Sequence, residues 1–138
     1  MIRNRGAALI IQEEKIALIK RIRNHEVYFV FPGGGIEEDE TPEEATIREV
    51  YEELGVHIEI ERLVTTDEYH GLQFFYKARI MDGVFGSGKA EEFTKTDRGQ
   101  YVPIWVSMKE LLNLNIKSYK VAECIVHCYK KERSDNIQ

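Results

Sequence analysis

The sequence predicts an α/β or α+β sandwich. Three observations predict it: short apolar runs with the composition of strands, one helix with strong start and stop signals, and a second amphipathic helix near the C-terminus. A chain of 138 residues with 43% hydrophobic residues can build one core of this kind. We therefore expect a single domain over residues 1–138, with no internal repeat and no linker.

The strand predictions rest on apolar runs bounded by turn residues. Residues 7–11 and 16–19 are apolar runs separated by polar residues, a pattern typical of a β-hairpin. Residues 27–31 form an aromatic and β-branched run that ends at Pro32 and three glycines. Further strands are predicted over residues 58–64, 72–81 and 101–106. The glycine-rich, charged stretch 82–100 is predicted to be a long loop, a feature that is often functional in compact domains.

The first helix is predicted from Pro42 to Leu54. Thr41 can cap its start, Pro42 suits the first helical position, and Glu44 completes a capping box. Gly55 lies where a helix usually ends through a left-handed residue. The predicted apolar stripe consists of Ile47, Val50, Tyr51 and Leu54.

The C-terminal part is predicted to hold two helices. Ser107 with Glu110 indicates a second capping box and a short helix. Residues 118–133 read as a terminal helix whose predicted inner face holds Val121, Cys124, Ile125 and Cys128. Cys124, His127 and Cys128 differ from common zinc patterns, so buried thiols are the favoured interpretation.

The chain carries no feature that predicts export or membrane insertion. The N-terminus lacks a long apolar region, no segment has the length needed to span a bilayer, and only two cysteines occur. Reduced thiols and a cytoplasmic location are therefore expected.

Charge is distributed unevenly along the chain. The formal net charge is −5, yet residues 37–53 hold nine acidic side chains and a single basic one, Arg48. The rest of the chain contains 18 basic and 15 acidic residues. This local acidity argues against a general nucleic-acid-binding face and favours a site that collects cations.

Three glutamates of the first helix carry the candidate chemistry. Glu49, Glu52 and Glu53 are related as i, i+3 and i+4, so their carboxylates share one side of the helix. Like charges so placed repel, and a bound divalent cation would compensate them. Oxygen-only ligation suits Mg²⁺, with Mn²⁺ as a substitute. The alternative is an ordinary solvated acidic face.

Nine residues of the stretch 34–56 form a motif with fixed spacing: Gly34, Glu40, Arg48, Glu49, Val50, Glu52, Glu53, Gly55 and Val56. The pattern is Gly, five residues, Glu, seven residues, Arg-Glu, an aliphatic, any residue, Glu-Glu, any residue, Gly, an aliphatic. It resembles the Nudix box at every defined position. The resemblance covers 23 of 138 residues and implies the family's α/β/α sandwich with a mixed β-sheet.

The resemblance also implies roles for these residues. Glu49, Glu52 and Glu53 would ligate metal, with the Gly33 carbonyl as a further ligand. Glu40 would be structural, and Arg48 would orient a glutamate, although its sequence position equally fits a surface ion pair with Glu44 or Glu52. In some members a later acidic residue joins the metals or acts as base, for which Glu91 and Glu92 are the candidates; a solvated loop pair is the alternative.

The implied reaction is attack of water on a diphosphate. We expect Glu53 to be the general base, with Glu52 or Glu91 as the alternatives. Gly34 and Gly35 would bring their backbone close to the substrate. Of the cations Lys20, Arg21 and Arg23, one could contact phosphate, and Arg21 is the candidate. Six aromatic residues could include a base-stacking platform, although most are expected to be core: Tyr28, Phe29, Phe74, Phe75, Tyr76 and Trp105.

The expected function is therefore metal-dependent hydrolysis of a diphosphate linkage in a nucleoside diphosphate joined to another moiety, such as a nucleoside triphosphate or a nucleotide sugar. A small-molecule nucleotide is the expected partner, with no stable nucleic-acid complex and no membrane, and a homodimer remains open. One alternative is a non-catalytic nucleotide sensor, although such domains often lose box glutamates. Another is an isomerase, which would need a cysteine near the site.

Overall fold

The computed structural model describes residues 3–68, 70–88 and 99–136. The strands are β1 (Arg5–Gln12), β2 (Lys15–Arg23), β3 (Glu26–Val30), β4 (Gly33–Gly35), β5 (Val56–Glu68), β6 (Leu72–Gly83) and β7 (Gln100–Ser107). The helices are α1 (Pro42–Leu54) and α2 (Tyr119–Asn136), with a 3₁₀ turn at Leu111–Asn113.

The strands form two groups that meet at the β1–β2 hairpin. In the first group, β1 runs parallel to β6 and antiparallel to the short β4, while β5 pairs with the other edge of β6. In the second group, β2 lies between β3 and β7 and is antiparallel to both. The hairpin prediction is confirmed, but β1 and β2, both fully described, pair at only two positions, Ile11 with Ile16 and Gln12 with Lys15. Beyond these positions each strand belongs to its own group.

Two hydrophobic cores lie on opposite faces of the mixed sheet. Alternate residues of β1 and β2 supply them, because successive side chains of a strand point to opposite faces. One core joins the sheet to α1 and contains Ala8, Ile10, Ala17, Ile19, Val50 and Leu54. The other joins it to α2 and the 3₁₀ turn and contains Leu9, Ile16, Leu18, Leu111, Val121 and Ile125. This arrangement confirms the predicted sandwich.

Helix α1 has the predicted bounds and caps. The Thr41 hydroxyl accepts from the Glu44 N–H, the Glu44 carboxylate accepts from the Thr41 N–H, and Gly55 ends the helix with a φ of 79°. The predicted apolar stripe is correct at Val50 and Leu54, which are fully buried, but wrong at Tyr51. The Tyr51 side chain is exposed and stacks on His57 instead, because it lies at the edge of the buried sector.

Several other predictions need correction. Asp82 and Gly83 belong to β6, so the predicted loop begins later. The short helix at Ser107 is wrong: the Ser107 hydroxyl accepts from the Lys109 N–H, and only a 3₁₀ turn follows. The second strand was predicted to end at residue 19, but β2 extends to Arg23, so the cations Lys20, Arg21 and Arg23 lie within it. No helix in the described ranges combines the length and apolarity required to cross a bilayer.

The C-terminal helix is longer than predicted and holds its cysteines at the margin of the core. Val121 and Ile125 are buried, whereas Cys124 and Cys128 are half-buried free thiols, so the prediction of buried thiols is only partly correct. Burial raises the pKa of the Cys124 thiol, and the neighbouring Cys128 raises it further.

Candidate active site

The Glu53 side chain is hydrogen-bonded to β4, the strand that precedes its helix. The Gly33 N–H donates a 2.7 Å hydrogen bond to Glu53 Oε1, joining residues 20 positions apart. Burial raises the pKa of the Glu53 carboxyl to about 8; the Gly33 hydrogen bond opposes this shift, and the nearby charge of Glu49 adds to it. Burial thus disfavours the charged form of Glu53 in the protein alone.

Glu49 lies directly against the glycine strand. A Cβ on Gly34 would fall 2.3 Å from the Glu49 carboxylate carbon and 2.5 Å from its Oε2. Only a residue without a side chain leaves room for this carboxylate, so Gly34 forms a cradle for it. Gly33 and Gly34 thus both approach glutamates of α1 closely, while the contact of Gly34 and Gly35 with the substrate stays a prediction.

Arg48 contacts three glutamates of the box, Glu40, Glu49 and Glu52. Its guanidinium donates two hydrogen bonds to Glu40, of 2.6 and 2.9 Å, one of 3.0 Å to Glu49 Oε1 and one of 3.1 Å to the Gly35 carbonyl. The paired hydrogen bonds from Arg48 lower the pKa of Glu40 to about 2. The same contacts raise the pKa of Arg48 above its ordinary value. Arg48 also reaches Glu52 at 3.4 Å, so the ion pair with Glu52 considered from the sequence is present, and the orienting role stays a prediction.

Glu52 lies in a different environment from its two neighbours. Its side chain is 53% exposed, against 21% for Glu49. Within residues 3–68, 70–88 and 99–136, no three acidic, histidine or cysteine side chains converge as a metal centre. Glu49 faces Arg48, Glu53 faces Gly33 and Glu52 faces outward.

The donor set nevertheless suits a hard divalent cation. Glu49 and Glu53 lie one helical turn apart, with Glu52 beside them, and all their side-chain donors are oxygens. Glu53 is a half-buried carboxyl whose ionisation burial opposes, so a nearby cation would stabilise its charged form. These residues could hold Mg²⁺ or Mn²⁺.

Arg21 lies between two tyrosines on the face of β2 that packs toward α1. Its guanidinium carbon is 3.9 Å from the Tyr101 ring centroid and 5.6 Å from that of Tyr28. Strand register explains this, because Arg21 is directly opposite Tyr28 on β3 and Tyr101 on β7. Of the six aromatic residues considered from the sequence, Tyr28 contributes to this cation–π cluster, whereas Phe75 and Tyr76 are core residues.

Glu91 and Glu92 lie outside the described residues. Both cysteines lie on α2, which packs on the sheet face opposite α1, and Cys128 lines a cavity there with Leu9 and Ile125.

Arg5 is a residue near the site that the sequence did not single out. Its charge lowers the pKa of Glu53. Arg5 lies at the start of β1, paired with Gly35 of β4, and no local sequence pattern signals this proximity.

Comparison with known proteins places this site within a family. A NUDIX domain model matches residues 2–124. An RNA pyrophosphohydrolase from Psychromonas ingrahamii is 36% identical over 78 residues, 56% of this chain and 41% of that protein. The chain therefore covers less than half the length of this relative.

Solved structures share the fold along nearly the whole chain. A NUDIX hydrolase from Nitrosomonas europaea has a TM-score of 0.72 at 21% identity, covering 95% of this chain and 90% of that one. A MutT NUDIX hydrolase from Burkholderia pseudomallei has a TM-score of 0.67 at 26% identity, covering 87% and 94%. Since the family model covers most of the sequence, including β4 and α1, the chain belongs to the Nudix family.

Proposed function

We propose that this chain is a divalent-metal-dependent pyrophosphohydrolase that cleaves a diphosphate linkage in a nucleoside diphosphate joined to another moiety. The observation that carries the proposal is the placement of Glu53, which is held by the Gly33 N–H beside Glu49 on a helix of the family's box. A rigid strand-to-helix contact of this kind provides the fixed geometry that hydrolysis requires.

The proposed metal ligands are Glu49, Glu52 and Glu53, with the Gly33 carbonyl and Glu91 as further candidates. Bound Mg²⁺ would neutralise phosphate charge and lower the pKa of a water molecule. Glu53 would accept the proton of the attacking water, and Glu52 is the alternative base because its exposed carboxylate is accessible. Arg48 keeps Glu49 in place through its hydrogen bond.

Arg21 is the proposed substrate-binding cation, and Gly34 and Gly35 are the proposed backbone contacts of the substrate. The tyrosine rings on either side restrict its guanidinium, so less side-chain freedom would be lost on binding a phosphate. Arg21→Met is expected to raise KM about tenfold with a small change in kcat, as for an interaction made equally in the ground and transition states. An unchanged KM on the preferred substrate would contradict this role.

The deciding experiment is Mg²⁺-dependent release of phosphate or pyrophosphate from nucleoside triphosphates, nucleotide sugars and dinucleoside polyphosphates. Glu53→Gln is expected to lower kcat by about 100-fold or more, the usual contribution of a general base. Glu61→Gln provides a matched control, because Glu61 is an exposed glutamate of β5. Near-normal turnover by folded Glu53→Gln would exclude Glu53 as the base. Nucleotide affinity without any hydrolysis would instead favour the sensor alternative.

A second candidate is hydrolysis at the 5′-triphosphate end of RNA. Similarity to an RNA pyrophosphohydrolase favours it, as do Arg21 and Arg23, two cations on the same face of β2. This candidate predicts a lower KM for a short 5′-triphosphorylated oligoribonucleotide than for the corresponding nucleoside triphosphate. It also predicts a steeper rise of that KM with salt, since neutralised phosphates release counterions. Equal KM values and equal salt dependence would support the small-molecule substrate.

An isomerase function is disfavoured by the position of the cysteines. Cys124 and Cys128 lie on α2, which packs on the sheet face opposite α1, so neither thiol is available to chemistry at Glu53.

A further inference from the structure

The turn formed by residues 84–88, which follows β6, is attached to the last turn of α1. The Gly86 N–H donates a 2.9 Å hydrogen bond to the Leu54 carbonyl, one of the carbonyls that a helix end leaves without a partner in the helix. Within the turn, the Ser87 N–H and hydroxyl both donate to the Val84 carbonyl, at 3.0 and 2.6 Å. The turn is thus internally bonded and fixed to the end of the helix that carries the glutamates.

Gly88 makes the closest approach between this turn and the helix. A Cβ at this position would lie 2.5 Å from both the carbonyl carbon and the carbonyl oxygen of Glu53, and 2.7 Å from the carbonyl oxygen of Glu52. The obstructing atoms are backbone, so no change of rotamer could relieve the overlap. Any side chain at residue 88 must therefore separate the turn from the peptide units of Glu52 and Glu53.

Phe85 connects the same turn to the second strand group. Its ring centroid is 4.8 Å from that of Trp105, on β7, at an interplanar angle of 30°. Trp105 and Tyr101 are four residues apart on β7 and pack on the same core, the one that lies under α1. The turn consequently contacts both the helix with the glutamates and the strand that carries Tyr101, the ring nearest to Arg21.

We propose that the turn 84–88 is a brace that sets the position of Glu52 and Glu53 relative to the Arg21–Tyr101 cluster, with Gly88 and Phe85 as positioning residues. This inference rests on the proposed function, in which the glutamates act at the diphosphate and Arg21 binds the substrate. Gly88 fixes the helix side through the backbone of Glu52 and Glu53. Phe85 fixes the β7 side through Trp105.

The test compares Gly88→Ala with Val84→Ala, a substitution in the same turn at a side chain that is 71% exposed. Three quantities are measured: kcat and KM on the preferred nucleotide, Mn²⁺ affinity from the free-ion EPR signal, and melting temperature. Gly88→Ala is expected to lower kcat by about tenfold to 100-fold, the scale of a displacement near 1 Å, and to weaken Mn²⁺ binding several-fold. Val84→Ala should match wild type in all three.

Phe85→Leu tests the other side of the brace and decides the matter if Gly88→Ala does not fold. It is expected to raise KM about fivefold while Mn²⁺ affinity stays at the wild-type value, because only the β7 contact is weakened. Folded Gly88→Ala with wild-type kcat and Mn²⁺ affinity would overturn the brace, as would an unchanged KM in Phe85→Leu.

Failure of the brace can be distinguished from failure of the proposed function. If wild type hydrolyses nucleotides and the turn variants behave like it, only the brace is wrong. If wild type hydrolyses none of them, weaker Mn²⁺ binding by Gly88→Ala would still support the brace while the proposed function fails. A wild-type protein that binds no Mn²⁺ would overturn both.

Discussion

Gly33 and Glu53 are joined by a 2.7 Å hydrogen bond from the backbone N–H to Oε1, although one residue begins β4 and the other lies near the end of α1. This contact holds a half-buried carboxyl whose pKa is raised to about 8. Burial therefore favours the protonated form of Glu53 in the metal-free protein.

The raised pKa of Glu53 predicts that the metal-free protein becomes less stable as pH rises. The folded state keeps this proton up to about pH 8, whereas the unfolded chain releases it near pH 4.5, the ordinary pKa of a glutamate. The stabilisation is thus fully present below pH 4.5 and is lost as pH rises through 8, with a slope of at most about 1.4 kcal/mol per pH unit between the two values. Urea unfolding in EDTA at pH 5 to 9 measures this slope.

Glu53→Gln is the reference for this measurement, because it stays neutral at every pH. Relative to Glu53→Gln, the free energy of unfolding of wild type should fall as pH rises. Addition of Mg²⁺ should reverse this trend in wild type alone, since a bound cation favours the carboxylate. Parallel pH profiles without metal would show that the pKa of Glu53 is ordinary.

Gly34→Ala is expected to weaken metal binding while the fold is retained. The new Cβ would overlap the Glu49 carboxylate, which is the end of a flexible side chain and can move. We expect a Mn²⁺ dissociation constant raised by about tenfold, equivalent to 1.4 kcal/mol. Gly35→Ala is the comparator, because its Cβ meets the guanidinium of Arg3 instead. Equal Mn²⁺ affinities in the two variants would mean that the cradle around Glu49 is irrelevant to the metal.

Arg48 and Glu40 are expected to act as one unit. Arg48→Lys removes the paired hydrogen bonds to Glu40, and Glu40→Gln removes the charge that they bind. Each variant should lower kcat/KM by about tenfold, because Glu49 loses its fixed partner, and the double variant should lose little more than the worse single variant. A double-mutant cycle on kcat/KM measures this coupling; additive losses would separate the two residues.

The cap of α1 should contribute to stability rather than to chemistry. Thr41→Ala removes the oxygen that accepts from the Glu44 N–H and is expected to lower the free energy of unfolding by about 1 kcal/mol. Thr41→Ser keeps that oxygen and should remain close to wild type. Both should retain wild-type kcat at temperatures well below the melting transition. A large loss of kcat in folded Thr41→Ala would show that the helix start is coupled to the reaction.

Helix α1 was predictable from the sequence because its determinants are local. The capping box spans four residues, Gly55 follows the last turn, and the spacing of Glu49, Glu52 and Glu53 follows from helical periodicity. Tyr51 shows the limit of the same reasoning, since periodicity assigned it to the buried stripe and the structure exposes it.

The different environments of the three glutamates were decided by tertiary structure. Glu53 differs from Glu52 because β4 approaches only one of them, and the hydrogen bond concerned spans 20 residues of sequence. The tyrosines around Arg21 come from two strands paired with β2, one of them about 80 residues away. Local sequence determined the helix and which side chains it presents, while burial, hydrogen bonding and charge at each carboxylate depend on long-range strand pairing that no local pattern encodes.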